Sequence, residues 1–207
     1  MSQPNEVRII GGRWKRSRLA VLDRPGLRPT PNRVRETLFN WLGQNLDGWR
    51  CVDAFAGSGA LGFEAASRGA SEVVLLESDA RLVRELRRAQ ERLGAQQLRV
   101  EAADAIAWMK RCEAQRFDIV FVDPPFDSGD LLDAALAASV RLVAPGGLVY
   151  LEAPAACPET HASRLGLALH RHVRAGHVHA HLLRRPTQAP EVTGTGNADN
   201  ADPAHGG

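Results

Sequence analysis

Cysteine is scarce in this 207-residue chain: Cys51, Cys112 and Cys157 are the whole set, and no two stand in Cys-x-x-Cys spacing. That odd, scattered inventory argues against a disulfide framework and against a thiolate zinc site. No apolar run reaches the roughly 20 residues that a membrane-spanning helix needs. Met1–Glu6 lacks the basic and apolar regions of a secretory leader. A reducing, cytoplasmic setting without membrane attachment is therefore expected. Lysine is nearly missing, since 24 of the 26 basic residues are arginine. Genome composition can produce that bias, so no recognition chemistry is read from it alone. What the chain does have is a 44% hydrophobic share, enough for one well-cored domain with small appendages.

The net charge of +2 hides an asymmetry. Residues 1–41 hold nine Lys/Arg against three acids, whereas the remainder holds 17 basic and 21 acidic residues. A basic arm on a mildly acidic body favours a polyanionic partner at one end. Residues 7–22 alternate loosely around Gly11-Gly12 and predict a β-hairpin, with the glycines supplying positive φ at the turn. Arg8, Arg13, Lys15, Arg16 and Arg18 would be its exposed cations, flanking Trp14. Nucleic-acid contact is the expected use; a solvated edge hairpin is the plainer alternative. Thr30 suits an N-cap, with Pro31 at the first helical position. The helix that follows turns Val34, Leu38, Trp41 and Leu42 inward and leaves Arg33, Glu36 and Asn40 outward.

From residue 50 strands and helices alternate. Strands are expected at Cys51–Phe55, Glu72–Glu77, Leu98–Ala102, Phe117–Asp123 and Leu148–Ala153, with Asp79–Leu93 the clearest helix. Nearly wholly apolar strands separated by helices argue for a mainly parallel sheet covered on both faces. Leu169–Arg174 and His177–Arg184, joined by Ala175-Gly176, would close it as an antiparallel hairpin, making seven strands. Residues 186–207 are rich in Gly, Asn, Asp, Thr and Pro without aromatics, the composition of a disordered tail.

Two motifs carry chemistry. After the strand Cys51–Phe55, Gly57-Ser58-Gly59-Ala60-Leu61-Gly62 matches a dinucleotide fingerprint, and Glu77 lies 20 residues beyond Gly57. Glycines let backbone approach a ligand at a helix N-terminus, and an acid ending the next strand holds ribose hydroxyls. Such a loop does not distinguish NAD from S-adenosylmethionine. Asp53 favours the latter, because a carboxylate there would meet a sulfonium amino acid but repel a pyrophosphate. Asp104, after the third strand, is placed to accept from an adenine amino group. The second motif is Asp123-Pro124-Pro125-Phe126 at the mouth of the fourth strand. The Asp123 carboxylate and the Pro124 carbonyl can both accept from an amine, and Phe126 offers a face for a flat base. That combination fits an enzyme acting on the exocyclic NH2 of a nucleobase.

Arg28-Pro29-Thr30, Arg33-Val34-Arg35-Glu36-Thr37-Leu38-Phe39, Asp53-x-Phe55-Ala56-Gly57-Ser58-Gly59-Ala60-Leu61-Gly62 and Asp123-Pro124-Pro125-Phe126, in that order, closely resemble the RsmD family. These are bacterial 16S rRNA guanine-N2 methyltransferases, named for guanine 966. Arg8-Ile9-Ile10-Gly11-Gly12 and the closing hairpin fit as well, and the resemblance spans about residues 7–185. It implies a class I methyltransferase domain over 28–185 behind a basic hairpin extension at 1–27, with 186–207 outside it. It also implies that Asp53, Gly57, Gly59, Glu77 and Asp104 surround S-adenosylmethionine, with Thr30 and Arg33 near its methionine end. Asp123, Pro124 and Phe126 would hold the guanine. The expected partner is 16S rRNA in the 30S subunit or an assembly intermediate, met by a monomer and without DNA. Competing readings are an adenine-N6 DNA methyltransferase, a non-catalytic ribosome-assembly factor and, last, an NAD oxidoreductase.

His177, His179 and His181 alternate along one strand and so share a face. With His170 or His172 opposite, they could surround a metal. No carboxylate or thiolate accompanies them and the family pattern gives metal no role, so an exposed strand face without metal is the expectation.

Overall fold

Side chains that alternate in direction along strands buried on both faces decide the layering of this protein. The computed structural model describes residues 6–22, 32–124 and 129–187. In chain order its elements are β1 (Glu6–Arg8), β2 (Arg18–Ala20), α1 (Asn32–Leu42), β3 (Arg50–Asp53), α2 (Ala60–Ser67), β4 (Glu72–Glu77), α3 (Ala80–Leu93), β5 (Leu98–Ala102), α4 (Ala105–Arg111), β6 (Phe117–Val122), α5 (Gly129–Leu142), β7 (Val143–Ala153), α6 (Glu159–Arg164), β8 (Ala168–Ala175) and β9 (Val178–Arg184).

The main sheet has seven strands in the order β5-β4-β3-β6-β7-β9-β8. β3 to β7 are parallel, and β9 runs antiparallel between β7 and β8. Cys51, Val73, Leu75, Ile119, Phe121 and Tyr150 face one layer, which holds α1, α2 and α3 side chains. Val52, Val74, Leu76, Val120, Val122 and Leu151 face the other, packed on α4, α5 and α6. Strands covered on both sides need no polar face, which is why they read as unbroken apolar runs. This is the class I methyltransferase arrangement that the sequence implies.

Local chemistry sets the helix limits. Asp79 caps α3 by accepting from the Arg81 and Leu82 amides, and Gly94 closes it at φ 60°. Leu82, Val83, Leu86 and Ala89 form its buried stripe. All eight residues of α2 are buried, because this helix lies between the sheet and the N-terminal hairpin. α1 ends at Leu42, before Gly43 at φ 93°. Val34 and Leu38 are buried on α1, and Arg33, Glu36 and Asn40 are exposed, as the periodicity predicts.

Three expectations need correction. The N-terminal hairpin is real, but its strands are only three residues each, because residues 10–14 leave the ladder to bond α2. Ile10 and Gly11 donate their amides to Glu64, and Trp14 donates its amide to Ser67 Oγ. Trp14 is 7% exposed and packs in the main core with Ile9 and Leu19, so its indole is an anchor and not a surface for bases. β7 begins at Val143, five residues ahead of the expected Leu148, through a register shift against β6. His181, expected on an exposed face, is buried at 1%, because β9 is an interior strand. Thr30, Pro31, Pro125, Phe126 and nearly all of the expected tail lie outside the described residues.

Candidate active site

Strand order reverses direction between β3 and β6: the chain proceeds outward from β3 to β4 and β5, then crosses back to β6 and β7. Open α/β sheets bind ligands at the carboxyl ends of strands at such a switch point. Asp53 ends β3, Glu77 ends β4, and Asp123 directly follows β6, so the topology brings three of the sequence-predicted acids to one edge. Asp104 follows β5 on the same edge, where it caps α4 by accepting from the Ala107 amide at 2.7 Å.

Asp53 is 2% exposed, and its Oδ2 accepts from the Gly62 amide at 2.9 Å in the first turn of α2. Burial pushes its pKa up to about 7, the Gly62 hydrogen bond opposes the rise, and the nearby charges of Asp123 and Glu77 add to it. An edge with this much negative potential suits a cationic ligand and disfavours a pyrophosphate. Glu77 accepts from Gly57 N at 3.0 Å through one oxygen and from Asp79 N at 2.8 Å through the other. It thereby ties the glycine loop to the β4–α3 turn.

The glycines divide the work. Gly57 and Gly59 adopt φ of 52° and 77°, the left-handed region that side chains avoid. A Cβ on Gly59 would also meet Leu86 and Phe63 at 2.7 Å, and one on Gly62 would meet Leu75 at 2.1 Å. Gly62 therefore serves helix–strand packing and, through its amide, Asp53.

Asp123 is half-buried and Pro124 buried. Behind them Phe121 packs on Phe39 of α1 and edge-on to Tyr150 of β7. Tyr150 donates to Glu152 Oε1 at 2.7 Å, and burial together with the Glu152 and Asp123 charges holds its hydroxyl well above the usual range. Arg33 lines an open groove with Thr37, Val173, Arg174 and Gly176, between α1 and the β8–β9 turn. Arg8, Arg13, Lys15, Arg16 and Arg18 are all exposed, with Arg18 paired to Glu6 at 3.0 Å.

A residue missed in the sequence organises the arm. Glu64, fully buried, accepts from the amides of Ile10 (2.7 Å) and Gly11 (2.8 Å) and from Arg68 Nε (2.8 Å). Ser67 adds a bond from Trp14 N and one to Gly11 O. Gly11 and Gly12 are needed chiefly for this approach: a Cβ on Gly12 would lie 1.9 Å from Ser67 O, and one on Gly11 would strike the Arg68 guanidinium. A charged residue in the otherwise apolar run Ala60–Ala66 was the only available signal.

Comparison with known proteins places the chain in a family. Residues 7–184 match the family model described as conserved hypothetical protein 95. The chain is 40% identical over 196 residues to ribosomal RNA small subunit methyltransferase D of Escherichia coli strain K12, a match covering 91% of this chain and 97% of that one. The chain belongs to the RsmD family. The RsmD relative from Haemophilus influenzae, bearing the same name, is 42% identical over 151 residues, 71% of this chain and 78% of its own length. Among solved structures, yhhF of Escherichia coli superposes with a TM-score of 0.75 at 37% identity, covering 89% of this chain and all of that one.

Proposed function

We propose that this protein transfers a methyl group from S-adenosylmethionine to the exocyclic N2 of one guanine, guanine 966, in the small-subunit ribosomal RNA. The observation that carries this reading is 40% identity across nearly the whole chain to a small-subunit rRNA methyltransferase. Asp123-Pro124 beside Asp53, at the switch point of the sheet, supports it.

The residues present fit the methyl donor: a carboxylate whose proton affinity is raised chiefly by burial, and further by two neighbouring acids, has the electrostatics to receive a cation. Asp53, Gly57, Gly59, Glu77 and Asp104 would hold it, with Thr30 and Arg33 at its methionine end. When bound, S-adenosylmethionine supplies an already activated methyl electrophile, leaving alignment and electrostatic support to the protein. Guanine N2 is a poor nucleophile because its lone pair is delocalised into the ring. Hydrogen bonds from its two N–H groups to the Asp123 carboxylate and the Pro124 carbonyl favour a pyramidal nitrogen with the lone pair directed outward, and the proton that N2 sheds on methylation passes to Asp123 or to water. Phe126 supplies the stacking face. Reaching the amine requires the guanine to be unstacked from the RNA.

The exposed cations of the hairpin engage the phosphate backbone. The target is met in the 30S particle or an assembly intermediate, in the cytoplasm, by a monomer. Labelled methyl transfer to 30S particles from a strain lacking the gene, followed by nuclease mapping, tests the reading. Label at a single guanine N2 is expected. Asp123→Ala should lower turnover by roughly 100-fold or more while RNA affinity is retained. Label at an adenine, or no label on particles or naked rRNA, would overturn the substrate assignment.

A further inference from the structure

His172 on β8 stands directly opposite His181 on β9, and His179 lies two residues before His181 on the same face. One ring nitrogen from each comes within 4.8 Å of the others. His172 Nε2 and His179 Nδ1 are 3.0 Å apart, and the His172 ring stacks between its neighbours, 4.6 Å from His181 and 5.2 Å from His179. Metal–imidazole bonds of about 2.0–2.1 Å in tetrahedral geometry put ligand nitrogens roughly 3.3 Å apart. The rings turn out of their near-parallel stack for their lone pairs to converge on one ion. His177, which simple alternation would include, falls in the turn ahead of β9 and is exposed.

We propose that His172, His179 and His181 form a binding site for a single divalent transition-metal ion of the zinc class. Three neutral imidazoles without a carboxylate select borderline ions such as zinc, copper or nickel over magnesium or calcium. The set is graded in depth: His181 is buried, His179 half-buried and His172 exposed, which gives an ion a path in from solvent.

The surroundings are arranged as a metal ligand needs. His181 accepts the Cys157 amide at Nε2 (3.0 Å), which leaves Nδ1 as the donor toward Leu151 O at 3.4 Å. A second ring nitrogen bonded to a backbone carbonyl is what usually fixes a ligating tautomer. An ion at Nε2 exchanges the amide hydrogen bond for a metal bond. Arg174 opposes a cation by charge, and removing its repulsion should tighten binding.

Because His179 pairs with Ala153 at the end of β7, the ion would sit at the carboxyl edge, joining β8 to β9 near the tip of their hairpin. Its role there is that of a structural clip, independent of methyl transfer. Three protein ligands leave one position for water.

The test uses untagged full-length protein, stripped with chelator and titrated with zinc chloride by calorimetry, with cobalt substitution as a spectroscopic readout. Expected are saturation at one ion per chain, a raised thermal midpoint and visible cobalt bands of tetrahedral intensity. The double variant His172→Ala/His179→Ala alters only exposed and half-buried rings and should lose all three signals while keeping the metal-free melting profile. Absence of saturable binding in the wild-type protein would overturn the proposal. Equal binding in the double variant would overturn it too, since the ion would then reside elsewhere.

Discussion

At the scale of single residues, Asp53 shows how a site can hold an unfavourable group in readiness. Its pKa is raised from an ordinary 3.8 to about 7, chiefly by burial. Between those values the folded protein binds the proton more tightly than the unfolded chain does. The contribution of Asp53 is therefore present at acidic pH, is lost as pH rises through about 7, and is unfavourable to the charged state above it. At 1.36 kcal/mol per unit the ceiling is about 4 kcal/mol. Asp53→Asn should consequently stabilise the cofactor-free protein above neutral pH, with the gain vanishing toward acidic pH, while abolishing S-adenosylmethionine binding. Urea melts across pH, paired with calorimetry, read both effects. A wild-type protein whose stability matched the variant at every pH would show that Asp53 is not the strained group.

At the scale of elements, how much the sequence reveals depends on how local the cause is. The parallel strands of the main sheet, the α3 helix and the glycine loop were legible because periodicity and φ preferences act within a few residues. Asp53, Glu77, Asp104 and Asp123 could be gathered at one edge because parallel strands joined by helical crossovers all end on the same side of the sheet. The docking of the arm was not legible, since Glu64 and Ile10 are 54 residues apart and only the fold makes them neighbours. For the same reason Gly11 and Gly12 were assigned to a turn, although close approach to α2 is their main constraint. The arm's attachment then rests on a testable contact. Glu64→Ala would leave Arg68, with its side chain 4% exposed, without its ion partner, and two arm amides without their acceptor. Breaking a buried pair in this way costs roughly 3–5 kcal/mol. Denaturant unfolding should show that loss, and limited proteolysis should show preferential cleavage within residues 9–17. Uniform destabilisation without early cleavage of the arm would mean that other contacts, such as Trp14 in the core, hold it equally well.

At the scale of the whole molecule, the anchoring of the arm on Glu64 would, on the proposed function, convert charge asymmetry into recognition. A tethered basic arm would attract RNA anywhere within its reach, but an arm bonded to α2 is held at a defined position relative to the glycine loop that leads into the same helix. Its cations can then act as a ruler: phosphate contacts fix register and orientation while carrying little sequence information. On the proposed function, a chain this small would select its guanine by the shape of the particle around it, with the arm reading the backbone and Asp123-Pro124 reading the amine. Replacing Arg13, Lys15 and Arg16 together by alanine removes three exposed cations without touching the buried anchors. Affinity for the 30S substrate should fall, and the dependence of log affinity on log salt should flatten by about 2 to 3 units, the counterion release of three phosphate contacts. S-adenosylmethionine affinity should be unaffected. Fluorescence binding titrations over a salt series separate the outcomes: a parallel drop with unchanged slope would assign these residues to folding or shape, whereas a flattened slope assigns them to phosphate.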